Sequence, residues 1–130
     1  MRKYMGHAPV TDLINKIFTS VEQKGDAIVF SNAEEEYSLE HDQYCCENVF
    51  IEDLCGDLKD LENVPIFMAE ESSEDIEPSD PNFSSEYCGY TFYRFWTMKG
   101  SVVIRWQGSS NGYYGISVSC DHVVIDNNRE

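Results

Sequence analysis

Positive charge is scarce in this chain. Nine Lys or Arg residues stand against 24 Asp or Glu, a formal net charge of −15 over 130 residues. A surface so poor in cations repels nucleic-acid phosphates and anionic membranes, so neither is expected as a direct partner. Long apolar runs are missing as well. Nothing approaches the ~20 residues of a membrane-spanning helix, and the opening MRKYMGHAPVTDL lacks the apolar core of a secretory leader. A soluble, cytoplasmic protein is expected. Cysteines at disulfide-framework spacing are absent too: Cys45, Cys46, Cys55, Cys88 and Cys120 form an odd set. A reducing compartment and free, buried thiols follow. The glycine-containing segment Gly108–Gly112 has no P-loop lysine or following helix, and the acidic runs do not form an EF-hand loop. No cofactor is expected.

What the chain does have is acid, concentrated. Between Glu34 and Glu86 lie eighteen Asp or Glu residues and a single cation, Lys59. Such a surface attracts basic protein surfaces, including those that normally hold DNA or RNA, and divalent cations. Apolar residues at 42% and seventeen aromatics supply enough bulk for a core. One folded domain over residues 1–130 is expected, rather than a disordered acidic tail.

Periodicity suggests an α+β fold, mainly antiparallel sheet with one or two short helices. Leu13, Ile14, Ile17, Phe18 and Val21 recur at helical spacing, which predicts a helix near 10–21 capped by Thr11 or Asp12 and ended by Gly25. Ala27–Ser31 and Glu36–His41 alternate as two strands of a hairpin, and Asn48–Ile51 is β-prone. Leu54, Leu58 and Leu61 predict a short helix or helical turn over Asp53–Leu61, and Val64–Ala69 a further strand entered at Pro65. Glu70–Ser85, rich in Ser, Asp, Glu and Pro, reads as a mobile acidic loop. Tyr90–Thr97, Ser101–Gln107 and Tyr113–Cys120 then read as a three-stranded C-terminal meander.

A turn at Lys99–Gly100 would set Arg94 opposite Arg105 and Trp96 opposite Val103. Tyr93, Phe95, Ile104, Trp106 and Val118 then form the core side, with Phe92, Arg94, Trp96, Arg105, Gln107 and Tyr113 on the other. Adjacent arginines need neutralising charge. A nucleotide-like anion held by Arg94, Trp96, Arg105, Asn111 and Tyr113 would provide it, and so would the chain's own carboxylates.

His41-Asp42-Gln43-Tyr44-Cys45-Cys46-Glu47 gathers possible metal ligands or redox groups. Adjacent cysteines do not give chelate spacing, and nearby carboxylates raise a thiol's pKa. His41, Cys45 and Cys46 are therefore weak candidates for a metal site or a cysteine-dependent enzyme. A strand end with inward-packed cysteines is the simpler reading.

Tyr37 to Glu47, Ile51 to Leu58, and Thr91-Phe-Tyr93 through Arg105-Trp106 to Ser110-Asn-Gly-Tyr-Tyr114 resemble an uncharacterised family of small bacteriophage-encoded proteins over about Asp26 to Val118. Its His-x-Gln-x-Cys-Cys-Glu motif carries Tyr44 here where members have Asp, which weakens a metal-ligand role. The resemblance implies no activity. It implies a setting, a phage protein acting on a host component. The expected function is thus non-enzymatic: a counter-defence or host-takeover inhibitor whose acidic surface occupies a basic, nucleic-acid-binding surface of a host protein. Its contact residues would come from Glu34, Glu35, Glu36, Asp53, Asp57, Asp60, Glu70, Glu71, Glu74, Asp75 and Glu77. The alternatives are an anion-sequestering protein using the arginine face and, third, the metal- or cysteine-dependent enzyme.

Overall fold

Burial alternates residue by residue over 27–31, 36–40, 88–97 and 101–109, and each of these runs is strand. The computed structural model describes residues 2–41, 47–76, 87–110 and 118–125. These contain nine strands: β1 (Arg2–His7), β2 (Ser20–Lys24), β3 (Ala27–Ser31), β4 (Glu35–Glu40), β5 (Glu47–Cys55), β6 (Met68–Ile76), β7 (Tyr87–Thr97), β8 (Gly100–Ser110) and β9 (Ser119–Ile125). A five-stranded sheet runs β1-β9-β4-β3-β2 and a four-stranded sheet β5-β8-β7-β6. Every strand pairing is antiparallel.

The two sheets share one core. Phe30 of β3 meets Phe95 of β7 with ring centroids 5.0 Å apart. Phe18 packs edge-on to Phe30 and Tyr37, and Tyr93 edge-on to Trp106. Asp26, in the β2–β3 turn, ties the sheets together at one side. Its carbonyl accepts from Trp106 Nε1 at 3.1 Å, and its carboxylate accepts from the Ile51 N–H at 3.1 Å. Tyr93 forms the tie at the other, its buried hydroxyl within reach of Glu71 Oε2 (2.7 Å) and the Val118 carbonyl (3.1 Å).

The α+β expectation is overturned. Among the described residues the only helical elements are two 3₁₀ turns, Val10–Leu13 and Leu58–Leu61. The segment read as a helix over 10–21 makes its hydrogen bonds elsewhere. Asn15 takes a left-handed φ of 73°; its N–H donates to the Ile66 carbonyl, the Ile66 N–H donates to Lys16, and the Asn63 N–H donates to Phe18. Leu13, Phe18 and Val21 are buried while Ile17 is 49% exposed, so the apolar set is not one helical stripe. A helix this short is marginal without such a stripe, and tertiary pairing wins. Over Asp53–Leu61, β5 continues to Cys55 and only the 3₁₀ turn follows, capped by Asp57, whose carboxylate accepts from the Lys59 N–H.

Two further expectations need correction. Residues 70–76 of the supposed acidic loop are strand, the outer part of β6, hydrogen-bonded to β7; residues 77–86 lie outside the described residues. Of the third strand expected over Tyr113–Cys120, residues 113–117 lie outside the described residues, and Ser119–Cys120 begin β9. β7 and β8 form the expected hairpin, but β5 takes the third position and β9 belongs to the other sheet. The β7–β8 turn is Met98–Lys99, since Thr97 pairs with Gly100. That moves the register by two residues. A two-residue shift preserves faces, so Tyr93, Phe95, Ile104 and Trp106 are buried as expected.

Candidate interaction surface

The acidic stretch does not make one face. β5 and β6 are the two opposite edges of the four-stranded sheet, with β8 and β7 between them. At ~4.8 Å per strand their axes lie roughly 14 Å apart. Asp53, Asp57 and Asp60 fall on the β5 side, Glu70, Glu71 and Glu74 on β6, while Glu34, Glu35 and Glu36 belong to the other sheet and its β3–β4 turn.

Many of these carboxylates already have structural partners. Glu35 accepts from Lys16 Nζ at 2.9 Å and lies 2.9 Å from His122 Nε2, and His122 stacks on Tyr37. Burial raises the Glu35 pKa, but hydrogen bonds and charge from Lys16 and His122 outweigh it and leave it below its ordinary value. Glu36 is half-buried in β4, and Glu34 is exposed at the turn. Asp53 accepts from the exposed Cys55 thiol at 3.4 Å. Asp57 caps the 3₁₀ turn, and Asp60 is half-buried beside Gly100. On β6 the arrangement differs. Glu70 to Glu74 are five consecutive exposed residues. Glu71 is tied to Tyr93, but Glu70 and Glu74 make no ion pair among the described residues. Asp75 lies in β6; Glu77 falls outside the described residues.

Between the acidic edges runs the arginine–aromatic face. Arg94 sits opposite Val103 and Arg105 opposite Phe92, so the two arginines are not directly paired as the earlier register had them. Internal groups serve both. A β-bulge between Ile51 and Asp53 turns Glu52 toward Arg105, whose Nη2 lies 2.7 Å from Glu52 Oε1. Arg105 also covers the Tyr90 ring at 4.9 Å, and its Nε is buried without a hydrogen-bond acceptor among the described residues. Arg94 covers Phe92 at 5.1 Å and donates to Ser72 Oγ at 3.0 Å. Tyr90 and Phe92 touch at 5.9 Å, and Trp96 is 42% exposed farther along β7. Asn111 and Tyr113 lie outside the described residues. Sequence reasoning missed Glu52 as the arginine partner, because a bulge cannot be read from alternation.

Of the metal candidates, His41 follows β4 and is half-buried, while Cys45 and Cys46 lie outside the described residues. Among the described residues no group of three or more His, Cys, Asp or Glu could hold a metal ion. Burial, then the charges of Asp121, Asp12 and Glu71, push the Cys120 thiol up to about 12. The Asp53 hydrogen bond and charge raise that of Cys55. Both thiols are held in the un-ionised, poorly nucleophilic form. A second histidine contact, His7 Nδ1 at 2.6 Å from buried Asp121, joins β1 to β9. Among the described residues no helix is long and apolar enough to cross a membrane.

The chain belongs to the family described as Domain of unknown function (DUF7448), whose pattern matches residues 11–120. No curated protein and no solved structure matches it.

Proposed function

We propose that this chain is a non-enzymatic binding protein of phage type, acting in the host cytoplasm, whose acidic surface occupies a basic, nucleic-acid-binding surface of a host protein. The observation that carries this reading is the row Glu70–Glu74, five exposed residues on an edge strand. Carboxylates displayed on a rigid strand present charge without the entropy cost of ordering a loop. They also speed encounter with a basic partner. The β5-side acids contribute less, since Glu52, Asp53 and Asp57 already serve Arg105, Cys55 and a turn. The anion-sequestering alternative gains no support from Arg94 and Arg105, which are engaged within the sheet.

The test is capture from bacterial lysate on the immobilised chain at low salt, elution by raising salt, and assay of the eluted protein for nucleic-acid binding with and without the chain. The expected result is a salt-released protein whose nucleic-acid binding is lost as the chain is added. A captured protein that keeps its nucleic acid while the chain is bound would contradict the reading.

A further inference from the structure

We propose that β6 is a strand-addition site, at which an extended basic segment of the partner pairs with the open edge and lengthens the four-stranded sheet. The proposal rests on the acidic-surface reading and specifies its contact. Among the described residues β6 pairs with no strand but β7, in unbroken register from Met68↔Trp96 to Ile76↔Cys88, and the 3₁₀ turn Val10–Leu13 packs close to it. The phase of that ladder fixes which backbone groups are open. The two-residue turn after Thr97 directs the odd residues of β7 toward β8 and the even ones toward β6. The Trp96 carbonyl agrees, because it accepts from the Phe67 N–H at 2.8 Å. Their even-numbered partners on β6 face back to β7. Ala69, Glu71, Ser73 and Asp75 therefore aim N–H and C=O away from the sheet.

The other sheet edges are less suited. β1 and β5 each carry a register shift, and on β2 the Val21 N–H already donates to Glu62 at 2.9 Å. A long, regular edge is a template for another strand unless something blocks it. On β6 the block is acid, and it is selective. A second copy in register would set carboxylates close together, which destabilises a pair. A basic strand meets the opposite situation. Glu70 and Glu74 share the outer face with Ser72 between them, at a separation of roughly 14 Å given ~3.4 Å per residue. The matching segment carries Lys or Arg at that spacing with a small polar residue between. Backbone bonds then supply affinity and charge supplies choice.

The test uses a synthetic extended peptide as long as β6, with lysines at the Glu70–Glu74 spacing and Thr or Val elsewhere. A second peptide is N-methylated at alternate residues to remove backbone donors without changing charge. Binding is read by fluorescence anisotropy. The parent protein should bind the first peptide in a salt-sensitive way. Ser73→Pro, which removes an outward N–H but no charge and no bond to β7, should weaken it about tenfold or more. N-methylation in the appropriate phase should do the same, and Glu70→Gln with Glu74→Gln should weaken binding most at low salt. Equal binding by Ser73→Pro, or of peptides methylated in either phase, overturns strand addition. The acidic-surface reading survives that result if the Glu→Gln loss persists. Absence of salt-sensitive binding by the parent overturns the strand-addition proposal, and capture of a salt-released partner decides the surface reading separately. Circular dichroism shows whether Ser73→Pro is folded; if it is not, the methylated peptides decide alone.

Discussion

Arg105 lies between the Glu52 carboxylate and the ring of Tyr90, about one-third exposed. A charge held that way contributes modestly, because solvent still screens the pair. Arg105→Ala should lower unfolding free energy by about 0.5–1 kcal/mol in denaturant melts. Nucleotides should leave the melting temperature of the parent unchanged; a rise that Arg105→Ala abolishes would instead identify a ligand there. Glu35 has a pH signature. Its folded pKa lies below the ordinary 4.5, so its contribution is complete above the unfolded value and is lost as pH falls through the lower folded one. Glu35→Gln should cost about 1 kcal/mol near neutral pH. In melts across pH, that difference should begin to shrink as pH falls past the ordinary 4.5 and vanish once Glu35 is protonated in the folded state as well. None of these partners is legible in sequence. Lys16, Glu35 and His122 are far apart along the chain, and strand register alone brings Glu35 and His122 near.

At the scale of elements, strands with strict alternation were readable and short apolar clusters were not. Ile28, Phe30, Tyr37 and Leu39 alternate cleanly, and Ile28↔Leu39 and Phe30↔Tyr37 are indeed cross-strand partners. The 10–21 segment mimics a helical stripe with too few residues to hold one, and long-range pairing decides it; over 53–61 a helical turn does form, at Leu58–Leu61, after a strand that runs to Cys55. β6 was misread for the opposite reason. Its Ser and Glu content suggests a loop, yet a strand at a sheet edge needs little apolar surface of its own. Ala69 alone is buried there among residues 69–74. The β5–turn junction gives a stability test. Gly56 has φ of 108°, and a Cβ there would lie 2.4 Å from the Ser101 carbonyl oxygen. Gly56→Ala should cost about 2 kcal/mol or more, from backbone strain and a contact that backbone cannot easily relieve. A loss under about 0.5 kcal/mol in urea melts would show that β8 yields freely at Ser101.

Across the whole molecule, the sequence announces the amount of acid but not its distribution. A run from Glu34 to Glu86 looks continuous on paper, whereas the fold divides its described residues between the β4 region and two opposite edges of one sheet, around an arginine–aromatic centre. Division follows from topology. β5 and β6 are consecutive in the chain but separated by the β7–β8 hairpin inserted between them. On β6, Glu70 and Glu74 make no ion pair among the described residues, whereas Glu71 is held by Tyr93, and the β6 edge is the proposed contact. The direct measurement is salt-resolved capture from bacterial lysate by the parent and by the Glu70→Gln, Glu74→Gln variant, side by side, with equal melting temperatures established first. A protein should be held by the parent at low salt, released as ionic strength rises, and retained poorly or not at all by the variant. Retention of the same proteins by both, with the same salt dependence, would contradict it.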